Sequence, residues 1–285
     1  MTRPRSIAQL VTAKPTVEGA GVRLKRVFGF PEAPRFDPFL LLDDFGSDKP
    51  DDYLAGFPWH PHRGIETVTY LLSGEVEHGD SLGNEGVIAG GDVQWMTAGS
   101  GIIHQEMPRK VDAPLRGFQL WVNLPQESKM MQPRYRDVTA DIIPEVSPHD
   151  GLTIRVIAGE VVGVRGPVRD VVIDPQFLDV TLEPGADLEH PTTNDHTVFV
   201  YTISGRGKVG PNGTHELERG QLALFTRGDS VLARASDVPF RFLMVSGRPL
   251  GEPVAWSGPI VMNTREELAI AFREYRDGTF IKQTR

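Results

Sequence analysis

The sequence predicts an all-β protein, and three observations carry that reading. Short apolar or alternating runs recur at roughly 8–12-residue spacing with turn residues between them, the signature of a β-barrel or sandwich. Glycine (30) and proline (23) are abundant among 285 residues whose hydrophobic fraction is 39%, which favours tight turns over long helices or disorder. The chain also repeats itself. Tyr70-Leu71-Leu72-Ser73-Gly74 matches Tyr201-Thr202-Ile203-Ser204-Gly205, and residues 90–99 match residues 219–228, the mark of an internal duplication.

Taken in order, residues 7–11 and 22–27 alternate and read as strands around a Gly/Pro-rich turn. Residues 37–46 are a short apolar run bounded by turn residues, expected as a buried strand. A polar loop follows at 47–56. Strands are then expected at 67–72, 75–78, 86–88 and 93–98, punctuated by Ser73-Gly74, Gly83-Asn84 and Gly90-Gly91, and residues 115–124 close the block. Prolines at 125, 133, 144 and 148 mark a connection before a second β-rich block at 153–245. The expected domains are 1–135, 145–250 and a tail at 251–285. In the tail, Asn263-Thr264 with Glu266 reads as a helix cap. Leu268, Ala271, Phe272 and Tyr275 share one helical face, and Gly278 stands where a helix should stop.

Bulk properties exclude several functions. Cysteine is absent, so no disulfide framework and no Cys-based zinc or iron–sulfur site is available. A net charge of −8 argues against direct nucleic-acid binding. No apolar run is long enough to span a bilayer, and Met1-Thr2-Arg3-Pro4-Arg5 leads into no apolar signal segment. The chain reads as soluble, intracellular and cytoplasmic.

The chemistry concentrates between residues 57 and 106. His60 and His62 flank Pro61, and His104 and Glu106 flank Gln105. Residues two apart face one way on a strand and diverge on a helix. Pro61 biases its neighbourhood toward extended backbone. Two such segments side by side bring three imidazoles and a carboxylate to one point, a set suited to a divalent transition ion. Extended without gaps from the first repeated motif, His60 and His62 fall opposite Pro191 and Thr193; extended from the second, His104 and Glu106 fall opposite Ala233 and Ala235. The site is therefore expected in the first copy alone. Taken singly these are polar residues on a barrel rim; two spaced pairs missing from the duplicate favour a metal site. Glu66 is read either as a strand-pairing carboxylate or as a hydrogen-bond partner of a ligand imidazole, and Arg63 as a loop charge. Trp95, Phe57 and Trp59 are expected in core or pocket wall. His78, His149, His190, His196 and His215 are expected at the surface or in turns.

The residues 37–43, 57–70, 91–99 and 101–106, with Phe57-Pro58-Trp59-His60-Pro61-His62-Arg63-Gly64 and Ile103-His104-Gln105-Glu106 among them, resemble the pirin family of the cupin superfamily. Pirins usually carry His-Ser-Glu where this chain has His104-Gln105-Glu106. The resemblance implies a bicupin: two β-barrels, with one metal, usually iron, in the N-terminal barrel. It implies His60, His62, His104 and Glu106 as ligands, and weakly a monomer. It also implies one of two functions. The first is quercetin 2,3-dioxygenase-type cleavage of a flavonol by O2, with Glu106 accepting the hydroxyl proton. The second is metal- or redox-dependent regulation of a protein partner, a metabolic enzyme or a transcription factor. A different metal enzyme on the same barrel, such as an isomerase, stays open because fold does not fix reaction. Fe(II) is the expected ion; Mn, Co, Ni, Cu and Zn suit the same ligands.

Overall fold

The computed structural model describes residues 3–213 and 215–282, so the expected domains that start at residue 1 and end at residue 285 reach outside the described residues. The chain is mostly antiparallel β-structure with a short C-terminal helix, and it divides into two compact units.

The unit that carries the expected ligands comprises residues 14–34, 39–140 and 250–285. Its seven-stranded sheet runs in the order Arg134–Val138, Val93–Thr97, Ile65–Ser73, Leu115–Asn123, Phe39–Ser47, Val22–Phe28, Lys14–Glu18. Its four-stranded sheet runs Phe57–His62, Ile102–Pro108, Glu75–Asp80, Glu85–Ala89. Val93–Thr97 is buried along its whole length, and Ile65–Ser73 along most of it, because both faces of a central barrel strand are covered. Apolar side chains of this unit, including Val22, Leu24, Phe45, Leu71, Val76 and Leu115, form one core cluster. The polar Asp43, Thr69 and Gln94 are buried as well, an arrangement tolerated only where hydrogen bonds replace water.

The other unit comprises residues 1–13, 35–38 and 141–249. Its sheet is ordered Ile7–Thr12, Gln221–Phe225, Thr197–Val209, Ser230–Gly247, Gln176–Leu182, Leu152–Ala158, Glu145–Val146. Asp187–Pro191 adds to Ser230–Gly247, and His215–Glu218 adds to Thr197–Val209. A large apolar cluster containing Val180, Val200, Ala233, Phe240 and Met244 fills it.

The chain ends are distributed differently from the expected boundaries. Strand Ile7–Thr12 satisfies its backbone on Gln221–Phe225, so it belongs with the second block. The tail belongs with the first, where Ala271 of the helix packs with Ile260, Met262 and Phe280. The helix Arg265–Arg276 starts one residue later than the Asn263/Glu266 reading. Thr264 is the cap, its hydroxyl accepting from the Glu267 N–H, while the Glu267 carboxylate accepts from the Thr264 N–H.

Candidate metal centre

Strand Phe57–His62 pairs antiparallel with Ile102–Pro108, placing His104 opposite His60 and Ile102 opposite His62. The pleat turns His60 and His62 to one side, and the neighbouring strand presents His104 to the same place. The ligand nitrogens of the three histidines all lie within 4.8 Å of one another. His60 Nε2 is 3.0 Å from His62 Nε2 and 3.0 Å from His104 Nε2. His60 Nδ1 donates to the Pro58 carbonyl at 2.8 Å, and His62 Nδ1 donates to the Pro259 carbonyl at 3.0 Å. A carbonyl can only accept, so both neutral rings carry their proton on Nδ1. Two Nε2 lone pairs then face each other at 3.0 Å with no proton between them. A cation resolves that repulsion, and the spacing suits one: two nitrogens about 2.1 Å from an ion and at right angles lie about 3.0 Å apart. Burial holds all three imidazoles below the ordinary histidine pKa, His62 and His104 well below it, with the neighbouring imidazoles adding to the effect at those two. Neutral imidazole is the ligating form.

Glu106 is not a member of that three-histidine group. A bulge between His104 and Glu106 sets it opposite Phe57. Its buried carboxylate accepts from Thr69 Oγ1 at 2.8 Å. Burial raises its pKa, and the Thr69 bond opposes that rise. Glu66 is fully buried and accepts from Thr97 Oγ1 at 2.6 Å, so the hydrogen bond found is not to a ligand imidazole.

Several residues depart from their expected places. Arg63 is not a loop charge. It is 2% exposed, donates to the carbonyls of Ser100 (2.7 Å) and Phe280 (2.8 Å), pairs with Glu274 at 2.8 Å, and lies 4.2 Å from the Phe280 ring centre. Trp59 is exposed, because the alternation that turns His60 inward turns its neighbour out. Trp95 is buried, and the partly buried Phe57 lines the cavity, as expected. His78, His190 and His196 are buried, because each lies in or beside a strand; His78 stacks on Tyr135 with ring centres 5.4 Å apart.

Sequence spacing gave no signal for the tail's part in this site. Lys129 is 1% exposed and donates to the Gly64 carbonyl (2.9 Å), Asn123 Oδ1 (2.7 Å) and the Val261 carbonyl (3.2 Å). Val261 N–H donates to the Arg63 carbonyl at 3.1 Å. A side chain on Gly64 would meet the Val261 carbonyl oxygen within 2.0 Å, so only glycine allows that approach. Together these contacts hold Pro259 where its carbonyl orients His62.

The second unit corrects the ungapped comparison. There Ala233 pairs with Leu188 and Val231 with His190, just as His104 pairs with His60 and Ile102 with His62. The counterpart of His60 is therefore Leu188, and that of His62 is His190. His62 to His190 is an offset of 128, against 131 for Tyr70 to Tyr201; the difference of three lies in a longer turn, which ungapped counting passes over. His190 Nε2 meets Gln176 Oε1 at 3.1 Å. It has no histidine beside it at the other ligand positions, which hold Leu188, Ala233 and Ala235.

A cavity of about 770 Å³ opens on the first unit's site, with His60, His62 and Glu106 in its wall beside Phe45, Trp121 and Trp256. It falls in the size range of small-molecule sites.

Two β-barrel units with a buried cluster of histidines in one define a bicupin. Comparison with known proteins refines that class. The Pirin family model matches residues 21–122, and the model of the pirin C-terminal cupin domain matches residues 177–281. A Pirin-like protein of Caulobacter vibrioides is 45% identical over 277 residues, 97% of this chain and 99% of its own. A Pseudomonas aeruginosa protein provisionally named a quercetin 2,3-dioxygenase is 44% identical over 282 residues, covering 98% of this chain and 99% of its own. The crystal structure of quercetin 2,3-dioxygenase from Acinetobacter baumannii superposes with a TM-score of 0.88 at 33% identity, covering 97% of this chain and 98% of that one. The chain belongs to the pirin family.

Proposed function

We propose that this pirin is a metal-dependent oxidoreductase that opens flavonols with O2 in the manner of a quercetin 2,3-dioxygenase. Fe(II) is the proposed ion, and His60, His62, His104 and Glu106 are the proposed ligands. The observation that carries the reading is the cavity: its wall joins the imidazole cluster and a buried carboxylate to aromatic surfaces that suit a flat polycyclic ligand. The relatives provisionally named quercetin 2,3-dioxygenases support the same choice.

Bound by these residues, a redox-active divalent ion supplies Lewis acidity toward a flavonol's oxygens and electron exchange with O2. The chain's own contributions follow from its geometry. The Pro58 and Pro259 carbonyls fix the tautomers of His60 and His62, so both offer Nε2. Glu106 takes the proton of the flavonol's enolic hydroxyl, as a carboxylate does when it is held beside the proton it removes. Thr69 orients the carboxylate for the transfer. Trp121 and Trp256, with ring centres 5.9 Å apart, give the ring system an apolar wall and keep water from it.

The test is an anaerobic titration of the Fe(II)-loaded protein with quercetin, followed by the flavonol's absorption. A saturable red shift at one equivalent is expected, as for a hydroxyl that ionises on binding. No shift with fully loaded protein would reject the flavonol as ligand.

A further inference from the structure

The cavity has a second polar element away from the histidines. Arg26 donates to both oxygens of Asp43, from Nε at 2.9 Å and Nη2 at 2.8 Å, and its Nη1 pairs with Glu18 at 2.8 Å. Asp43 is 4% exposed. Arg26, Asp43 and Gln119 all line the cavity that His60, His62 and Glu106 line. They belong to one cross-strand row: Arg26 stands opposite Asp43, Asp43 opposite Gln119, and Gln119 opposite Thr69. Residues in such a row share one face of the sheet. Thr69 brings the row to the site, with its hydroxyl 2.9 Å from Gln119 Oε1 and 2.8 Å from Glu106. Two strand spacings, about 10 Å, separate Thr69 from Asp43, a reach comparable with the length of a three-ring flavonol.

The row is a line of hydrogen-bonding groups along a wall otherwise formed by Leu41, Phe45, Trp121 and Trp256. Its far end is short of donors. Three of the Arg26 N–H groups are engaged by carboxylates, and one guanidinium stands between two carboxylates, leaving the cluster net negative. Each carboxylate oxygen still has acceptor capacity. Such an end attracts hydroxyl donors and repels anions.

We infer that Asp43, held in place by Arg26 and flanked by Gln119, is a second anchor that selects neutral polyhydroxylated aromatic ligands by accepting hydrogen bonds from hydroxyls remote from the metal-facing end. The inference rests on the flavonol reading and adds to it a specificity-determining group. A ligand bearing a carboxylate or phosphate on its distal ring is disfavoured, because that charge would meet Asp43 and Glu18.

The test compares anaerobic binding of quercetin and of 3-hydroxyflavone to the Fe(II)-loaded protein. Both ligands carry the hydroxyl–ketone pair; the second lacks every other hydroxyl. Quercetin is expected to bind at least about ten-fold more tightly, the worth of a hydrogen bond to a charged acceptor. In Asp43→Asn and in Arg26→Lys the ratio should fall toward one, while the affinity for 3-hydroxyflavone stays unchanged and so reports an intact site. A quercetin analogue methylated at its distal-ring hydroxyls should lose the advantage on the wild-type protein, a readout that needs no variant. Equal binding of both flavonols to wild type, or an undiminished ratio in the folded variants, would overturn the second anchor and leave the flavonol reading standing. Failure of both flavonols to bind would overturn both.

Discussion

Residue by residue, the site is organised by ring nitrogens whose protons are assigned by carbonyl oxygens. His60 and His62 cannot donate to each other, because each spends its ring proton on a proline carbonyl. Replacing His62 or His104 by alanine is therefore expected to weaken metal binding at least about 100-fold, measured by competition with a chelator. Thr69→Val removes the hydroxyl that orients Glu106. It is expected to lower kcat about ten-fold with metal content unchanged, the cost of one hydrogen bond to a charged group. The second unit offers a pH test of burial. His190 is 4% exposed, and burial lowers its pKa from 6.5 to about 4. A depressed folded pKa stabilises the fold above the unfolded value and loses that contribution as pH falls. The loss should run from about pH 6.5 down through pH 4 and amount to about 3 kcal/mol. Denaturant titrations of wild type and His190→Gln across that range should converge in stability as pH falls; parallel curves would contradict the assignment.

At the scale of elements, the strand pairing explains what was legible in the chain and what was not. Period-two spacing found His60, His62 and His104, because a strand's pleat is local and needs no knowledge of the partner. It also placed Glu106 beside them; the bulge after His104, which leaves no mark in spacing, sets Glu106 opposite Phe57, and its carboxylate accepts from Thr69. The second copy's counterparts of His60 and His62 were misread for a related reason, since a longer turn shifts the frame there by three, while Ala233 does stand where His104 does. Arg63 was read as a loop charge, and Lys129 drew no reading at all. Their roles are set by carbonyls of Ser100, Phe280, Gly64 and Val261, all of them far away in sequence from the side chain they bind, and backbone acceptors have no sequence signature. The helix was read to within one residue because its cap is local.

The tail gives the element-scale prediction. Lys129→Met removes the ammonium donor of three oxygens, of which the Gly64 carbonyl keeps the Leu124 N–H at 3.3 Å, and loosens the strand Ile260–Met262 next to Pro259. A fall in thermal stability is expected together with a metal affinity weakened 10- to 100-fold, the range seen when a partner of a ligand imidazole is lost. Destabilisation with unaltered metal affinity would show that the tail holds the fold but not His62.

At the scale of the whole molecule, duplication has produced two units with different interiors. One is filled by apolar side chains such as Ala233, Phe240 and Met244 and keeps His190 where the other has His62. The other keeps buried polar groups around a cavity of about 770 Å³. The all-β, two-barrel organisation was readable because Gly/Pro turns and repeated motifs are properties of the chain itself. The cavity was not, because it depends on which side chains fail to meet. The role proposed for this cavity is to couple a bound ion to oxidation of a flavonol. The most direct measurement is oxygen uptake by the Fe(II)-reconstituted protein on addition of quercetin, beside His62→Ala and His104→Ala controls of known metal content. One O2 consumed per quercetin is expected, with stoichiometric iron in the wild type and neither iron nor uptake in the controls. Stoichiometric iron with no quercetin-dependent uptake would contradict that role.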